Sequence, residues 1–510
     1  MSERVPQGWA LTTVGGVCLE KVAQCAPQEE FFYVDIGSVD NQRKAIVEPS
    51  RLAAKDAPSR ARQTLRRGDV LVSLTRPNLN AVAVVPPNLD GSIGSTGFDV
   101  LRAVACETGL LFAFVRSPGF VARMSGLVQG ALYPAVRPRD VRETEFPLPP
   151  LNEQRRIVAK LEALQARSRR AREALDAVPP LLEKLRQSIL AAAFRGDLTK
   201  DWRAKHKDVE PASELLKRIR TERRKKWEEA ELAKMKAKGR APTDDKWKAK
   251  YKEPEDLVLD ELTKGFVGPI PPTWILGSLA EGAEVTTGGT PSTVNELYWD
   301  GPIPFVTPSE IHPDGHVLTS KRRVTPSGAE DAGTVQSESV LIVCIGTVGK
   351  VGYLETASVV NQQINALTPL GSIHPRYLYY WCKLLRVWVE RAASATVNAA
   401  ILNKTRLAKG PFVVAPHAEQ VEVVRRLETA FLAIRATEMR CAALSARIRE
   451  TDFAILAAAF RGELVPQDPN DEPAEAMLAR VRGANGATTT ETKPKRGRKT
   501  VGPAREMVDD

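Results

Sequence analysis

The chain is poor in the residues from which most catalytic sites are built. Histidine occurs five times in 510 residues, sparse for general-base chemistry. Cysteine occurs six times, at Cys18, Cys25, Cys106, Cys344, Cys382 and Cys441, and no two are spaced Cys-x-x-Cys. That pattern offers neither a disulfide framework nor a zinc site. Cys344, in an apolar run, and Cys441, in a helical seam, are expected as small buried hydrophobes. The longest apolar strings, such as Val340–Ile345, are far too short to span a bilayer. The N-terminal Met-Ser-Glu-Arg-Val-Pro does not read as a signal peptide. A reducing cytoplasm is the expected compartment, with no membrane partner.

Motifs of known chemistry are scarce as well. Gly346-Thr347-Val348-Gly349-Lys350 imitates a phosphate loop, but it has two residues where the pattern needs four, and no Ser or Thr follows the lysine. It is expected to be a tight turn between strands. His312 and His316 stand four apart, yet Pro313 and Gly315 oppose a helix there, so no metal site is expected. There is no Gly-x-Ser-x-Gly elbow, no Asn-Pro-Pro-Tyr or Asp-Pro-Pro-Tyr, and no Pro-Asp followed at nuclease spacing by Asp/Glu-x-Lys. These absences point to a binding protein, with no catalytic residue and no cofactor on this chain.

What the chain does have is duplication. Ile-Leu-Ala-Ala-Ala-Phe-Arg-Gly occurs at 189–196 and again at 455–462, an offset of 266. Phe146, Pro150, Glu153, Gln154, Leu161 and Glu162 recur at that offset as Phe412, Pro416, Glu419, Gln420, Leu427 and Glu428. A duplicated module grips a partner in two places. The net charge of +11 and pI near 9.3 favour a polyanionic partner.

Each copy reads as two parts. Residues 1–150 and 266–416 carry short β-branched runs broken by Gly, Pro and Asn, among them Phe31–Ile36, Val70–Leu74, Val340–Ile345 and Val351–Leu354. Pro375–Val389 looks helical, matched by Thr108–Val115 running on towards Met124. Both are expected to be mixed α+β domains. Residues 151–197 and 417–463 are different. Ile157, Leu161, Leu164, Ser168, Ala171, Leu175, Val178, Leu182, Leu185, Ile189 and Ala192 step by four and three, and the same steps recur from Val423 to Ala458. Two long helices with this repeat are expected to pack as a coiled coil, with Asn152 a plausible N-cap and Gly196 and Gly462 as C-caps. Pro179-Pro180 should kink or restart the first of them. Residues 198–265 read as a charged linker. From Lys217 to Lys252 it holds 15 Lys/Arg against six Asp/Glu, interleaved with Trp227, Trp247 and Tyr251. It is either a solvated bridge or a phosphate contact. Residues 464–510 are expected to be a disordered basic tail, low in complexity from Gly483. Its Pro494–Lys499 run is either a minor-groove hook or a solubilising segment.

The order of these motifs resembles the specificity subunit of type I restriction-modification systems. The resemblance rests on Val5-Pro6-Gln7-Gly8-Trp9 and Ile270-Pro271-Pro272-Thr273-Trp274, on Gly288-Gly289-Thr290-Pro291-Ser292, on Gly301–Val306, and on Pro147–Ile157 leading to Ser188–Gly196. It covers roughly residues 4–465. It implies two target recognition domains, each reading one half of a bipartite asymmetric site in double-stranded DNA. It implies two long antiparallel helices that hold them apart, related by a pseudo-two-fold repeat. It further implies two methyltransferase subunits and two translocase/nuclease restriction subunits as partners, which would carry S-adenosylmethionine, ATP and Mg. The first domain departs from the family pattern. It lacks the Gly-Gly-Thr-Pro loop near Lys21–Gln28, and it has Ser95-Thr96-Gly97-Phe98-Asp99 where the second has Asn361–Asn365. Arg, Lys, Asn and Gln on loops suit base edges in a groove. Arg76, Asn78 and Asn80 are the candidates in the first domain. Thr287, Thr290 and Ser292 are candidates for backbone positioning in the second, and Lys350, Gln362 and Gln363 for readout. Structural turn or strand-end bonds are the competing role for each. Two other readings stay open: a stand-alone DNA-modifying enzyme, and a coiled-coil scaffold for proteins.

Overall fold

The computed structural model describes residues 5–128, 134–239, 242, 244–318, 320–395 and 400–487. The chain divides into two compact units, Met1–Asp176 with Ala442–Asp510, and Ala177–Cys441. Each unit is closed by its own first and last strands. In the first, Ala10–Thr13 pairs antiparallel with Glu145–Leu148; in the second, Ile275–Ser278 pairs with Pro411–Val414.

The same arrangement recurs inside each unit even where the sequences have diverged. In the first, Val70–Ser73 lies between Phe98–Leu101 and Val82–Val84; in the second, Val340–Val343 lies between Ile364–Pro369 and Val351–Tyr353. All four residues of Val70–Ser73 and of Val340–Val343 are buried, which is why Val70–Val72 and Val340–Val343 are continuously apolar rather than alternating. A parallel pair accompanies each set: Phe31–Val34 with Ile93–Ser95, and Trp299–Val306 with Val359–Val360. The second unit adds a fourth strand, Ala283–Thr287, against Ile364–Pro369. Its counterpart in the first unit shrinks to one bridge, Cys18 with Ala103. Pro375–Ala392 is one helix, whereas Thr108–Val115 stops and Pro118–Gly126 begins afresh, capped by Ser117, whose hydroxyl accepts from the amide of Phe120 at 3.3 Å.

Helices leave each closing strand pair. The first run breaks at Ala177 into Leu151–Asp176 and Val178–Phe194, as Pro179-Pro180 requires. The second is one helix, His417–Phe460, of 44 residues, roughly 66 Å at 1.5 Å per residue. The packing is antiparallel: Arg172 pairs with Asp452 in the first unit, and Arg186 with Glu438 at 3.3 Å in the second. The repeated octapeptide anchors helix to domain. Phe194 meets Tyr377 and Trp381 edge-on at 5.1 Å; Phe460 meets Phe114 at 5.2 Å. Truncating either ring would cost about 3–5 kcal/mol. Gly196 and Gly462 are left-handed (φ +79 and +75), and a Cβ on either would strike Pro271 or Pro6.

The seam differs from expectation at its ends. Leu190, Ala193 and Phe194 are buried rather than Ile189 and Ala192, and Leu456 and Ala459 rather than Ile455 and Ala458, while Leu185 and Leu444 are exposed. A real helix drifts from a 3.5 repeat, and near its ends the buried face is turned to the domain core. Asn152 is not an N-cap; it lies in the first turn and bonds Asp471.

Two further corrections concern the segments after the octapeptides. The expected linker 198–265 contains the helices Ala212–Ala237 and Glu261–Phe266, and Ala212, Leu215, Leu216 and Ile219 lie in the second unit's core. The expected disordered tail folds from Ala474 to Ala487, with Ala474, Met477 and Leu478 in the first unit's core. The two segments are a repeat in their own right. Glu210-Pro211-Ala212 precedes Leu215-Leu216 and Arg218, and Glu472-Pro473-Ala474 precedes Met477-Leu478 and Arg480. Ala212 N–H donates to Thr273 C=O and Ala474 N–H to Gly8 C=O; Arg218 pairs with Glu210, and Arg480 with Glu472. Helix formation here satisfies apolar contacts every three to four residues, a pattern hidden because its offset is 262 rather than 266. The Pro494–Lys499 run lies outside the described residues.

Candidate nucleic-acid interface

In the first unit the hairpin of Val70–Ser73 and Val82–Val84 carries a polar loop. Arg76 and Asn80 flank a 3-10 turn at Pro77–Leu79, and both are left-handed, as is Lys44. Three of the five non-glycine residues with this backbone among those described are therefore Lys44, Arg76 and Asn80. Each costs roughly 1 kcal/mol, and such strain collects where a site must be held in shape. Asn80 is not a free reader: its Nδ2 donates to Val115 C=O at 2.8 Å, and Lys44 Nζ donates to its backbone oxygen at 2.6 Å and its Oδ1 at 3.1 Å. Arg76 and Asn78 are exposed at the tip. Burial, with Arg116 close by, pulls the Lys44 ammonium down to about 8. An anion bound at the loop would favour its charged form further.

The equivalent hairpin in the second unit, Val340–Val343 with Val351–Tyr353, carries Cys344–Lys350. Gly346 and Gly349 turn it with φ +85 and +88, so the phosphate-loop look-alike is a strand turn. Lys350 Nζ donates to Pro308 C=O at 2.7 Å. Beside this turn lies a second rim. Gly288 N–H donates to Ile364 C=O at 3.0 Å, and a Cβ on Gly288 would fall 2.3 Å from the carbonyl oxygens of Val360 and Asn361. Close backbone approach is the reason for glycine there. It lets Thr290 Oγ1 donate to Gln362 Oε1, and Thr287 Oγ1 donate to Asn365 Oδ1 at 2.8 Å. Asn361 Nδ2 donates to Gln363 Oε1 at 3.0 Å. Asn361 and Asn365 are buried and Gln362 is exposed. With its carbonyl held by Thr290, the exposed Gln362 makes no bond through its amide N–H groups among the described residues, and such a donor suits a purine N7.

The structure thus engages Thr287, Thr290, Gln362 and Gln363 in three separate side-chain pairs, with Asn365, with each other (Thr290 and Gln362) and with Asn361. Ser292 lies further along, its C=O accepting from Trp299 Nε1 at 3.1 Å. Trp299 carries Arg322, whose guanidinium lies 3.8 Å from the ring centre. Arg322 and Lys44 were not singled out from sequence; no local motif marks either, since both are placed by contacts distant in the chain. In the first unit the position of Asn365 is held by Asp99, which is ion-paired to Arg142 at 2.8 Å and buried. The two rims therefore share a scaffold and differ in chemistry. His312 and His316 bracket a turn, with His312 Nδ1 2.8 Å from Asp314. Among the described residues no helix is long and apolar enough to cross a membrane.

A pair of closed α+β units of this type, each joined to its helix by a buried tryptophan–glutamate bond, Trp9 to Glu153 and Trp274 to Glu419, defines a duplicated recognition module. Residues 271–443 match the family model described as "Type I restriction modification DNA specificity domain". The chain is 25% identical over 394 residues to the type I restriction enzyme EcoBI specificity subunit of Escherichia coli, covering 74% of this chain and 72% of that protein. It is 22% identical over 416 residues to the HindI specificity subunit of Haemophilus influenzae, covering 77% and 86%. Among solved structures it resembles a chain from work on complex assembly and conformational transition of the type I R-M system. That match has a TM-score of 0.66 and 27% identity, over 90% of this chain and 99% of that one. The HsdS subunit from Thermoanaerobacter tengcongensis matches with TM-score 0.53 and 27% identity, over 91% and 99%. Over most of its length the chain is thus similar to specificity subunits of type I restriction-modification systems, and residues 271–443 match their DNA specificity domain.

Proposed function

We propose that this chain is the DNA sequence-recognition subunit of a type I restriction-modification complex and performs no catalysis itself. One observation carries the reading. The Arg76–Asn80 and Gly346–Lys350 loops end the same hairpin in two closed units that share a fold and differ in polar side chains. Equivalent placement with different donors suits two different half-sites of a bipartite target. Arg76, Asn78, Gln362 and Arg322 are the proposed contacts to bases or phosphates; Lys44, Asn80, Thr287, Thr290 and Gln363 hold them in place. Ser292 and Lys350, bonded to backbone and aromatic neighbours, are proposed to position the DNA backbone. The helical segments would fix the gap between half-sites. Leu432 and Met439, 68% and 67% exposed on His417–Phe460, offer apolar surface for methyltransferase subunits. Two such subunits and two restriction subunits would supply S-adenosylmethionine, ATP and Mg, in the cytoplasm.

A genome-wide map of N6-methyladenine, with this gene present and deleted and the cognate methyltransferase subunit expressed in both strains, tests the proposal. Loss of methylation at one bipartite motif with a fixed gap is the expected result. Methylation by the purified chain alone would favour a stand-alone enzyme, and absence of any DNA affinity in the complex would favour a protein scaffold.

A further inference from the structure

The helix Ala212–Ala237 has two parts with different physical roles. Its first two turns do what Ala474–Ala487 does in the other unit: Ala212, Leu215, Leu216 and Ile219 fill the core, as Ala474, Met477 and Leu478 do. Beyond Ile219 no residue of the helix is buried. The remaining 18 residues add no buried side chain to the core, and they belong to a longer stretch whose composition departs sharply from the rest of the chain. The Lys217–Lys252 stretch holds nine more basic than acidic residues, against a net +11 for all 510.

The described residues of this stretch form a braced arm rather than a loose linker. Its base is fixed by Arg220 on Glu281 and by Arg223 donating to Ala280 C=O at 2.7 Å. The returning strand of chain folds back on the helix: Trp227 stacks on Trp247 with ring centres 6.1 Å apart and meets Tyr251 at 5.4 Å, while Arg224 lies over Tyr251. Several cations are internally matched, such as Arg218 with Glu210, Arg224 with Glu228 and Lys234 with Glu231. Lys226, Lys236, Lys238 and Lys250 are exposed and carry no ion pair among the described residues.

We infer that this arm is a second, sequence-independent DNA contact that binds duplex phosphates outside the half-sites. Charge alone would also suit an acidic protein. A stable protein interface, however, has an apolar centre, and the described arm exposes no large hydrophobic side chain; along the chain the nearest are Leu185 and Val258. Unpaired lysines on a rigid aromatic-braced support are what counterion release from a duplex exploits.

The inference rests on the DNA-recognition reading, and the test separates the two. Lys226, Lys236, Lys238 and Lys250 are replaced together by Ala in the full chain, assembled with its methyltransferase subunits. Binding to duplexes with and without the methylated motif is then measured against salt. Each lost phosphate contact lowers the slope of log affinity on log salt by about 0.9. The expected result is a slope reduced by about 2 to 4 and binding about tenfold or more weaker near 0.15 M salt, equally for both duplexes. The methylated motif stays the same, and a four-fold Lys→Arg variant keeps the original slope. An unchanged slope overturns the inference. So does loss of methyltransferase subunits from the purified complex without a change in slope, which would make the arm a protein contact. If the unaltered complex marks no bipartite motif, the recognition reading fails instead.

Discussion

Trp9 and Trp274 occupy the same place in the two repeats and donate to Glu153 and Glu419, at 3.0 and 2.7 Å. The two carboxylates live in different surroundings. Glu419 Oε1 also accepts from Thr199 Oγ1 at 2.7 Å and Arg203 Nε at 2.9 Å, and Arg203 reaches on to Gly196 C=O at 2.6 Å. The positions 266 residues further on are Val465 and Pro469, which offer no side-chain donor. Glu153 Oε1 is buried without a partner, and the nearby Arg156 is bound to Asp471 at 2.6 Å. The glutamines that follow are alike in both units. Gln154 bridges Pro149 C=O and Glu107 N–H; Gln420 bridges Ala415 C=O and His374 N–H. Both copies thus carry the polar hook that locks each helix to its domain, and only one of them carries the cation. Backbone geometry in a duplicated fold is retained by contacts both copies make, while charge balance drifts copy by copy.

The largest expected effect comes from removing the cation. Arg203→Ala strands a carboxylate whose side chain is 1% exposed, and breaking a buried pair this way costs about 3 kcal/mol. Hydrogen exchange should report it as lost protection of the His374 amide, with the Glu107 amide unchanged. Equal loss at both amides would mean that the two locks do not open separately. Next in size is the tryptophan. Trp9→Phe leaves Glu153 without a hydrogen bond, for about 2 kcal/mol; Trp274→Phe leaves Glu419 its threonine and arginine, for about 1 kcal/mol. Paired melting and exchange measurements on the two variants check the order, and a reversed order would show that burial of the ring, not its N–H, decides.

Much of this architecture was legible in the chain. The octapeptide, the Pro-Leu-Asn-Glu-Gln start and the apolar runs announced two closed domains and their helices. What stayed hidden did so for physical reasons. Thr199 and Arg203 lie 220 and 216 residues from Glu419, so no local spacing links them. The Glu-Pro-Ala repeat is visible but shifted by four residues, and a single fixed offset misses it. In the candidate interface, Arg76, Asn78 and Gln362 lie exposed at strand ends, as polar residues in loops are expected to. Asn80 and Gln363 are polar loop residues too, yet they bond inward, and composition cannot tell the two apart. Arg322 is held by Trp299, 23 residues away, through a ring face that leaves no motif.

The smallest expected effect is the most discriminating, because the two units should respond to acid with opposite sign. Burial, outweighing the Trp9 bond and the Arg156 charge, raises Glu153 above its usual 4.5. The folded first unit then binds that proton more tightly than the unfolded chain does. This stabilising term is fully present below 4.5 and is lost as pH rises through the raised value. Asp471, lowered by Arg156, acts the other way, but only below its ordinary 3.8. In the second unit burial, with His417 adding, lowers His374 below 6.5, so acid favours the unfolded chain there and stability falls as pH drops through 6.5. Between about pH 7 and pH 4.5, with intrinsic exchange corrected, protection at Glu107 should rise relative to protection at His374. Glu153→Gln should sit within about 1 kcal/mol of the parent at pH 7, since a neutral amide still accepts from Trp9, and should abolish the first unit's share of the change. A Gln variant that keeps the full pH response would assign it to another group and remove Glu153 from the comparison.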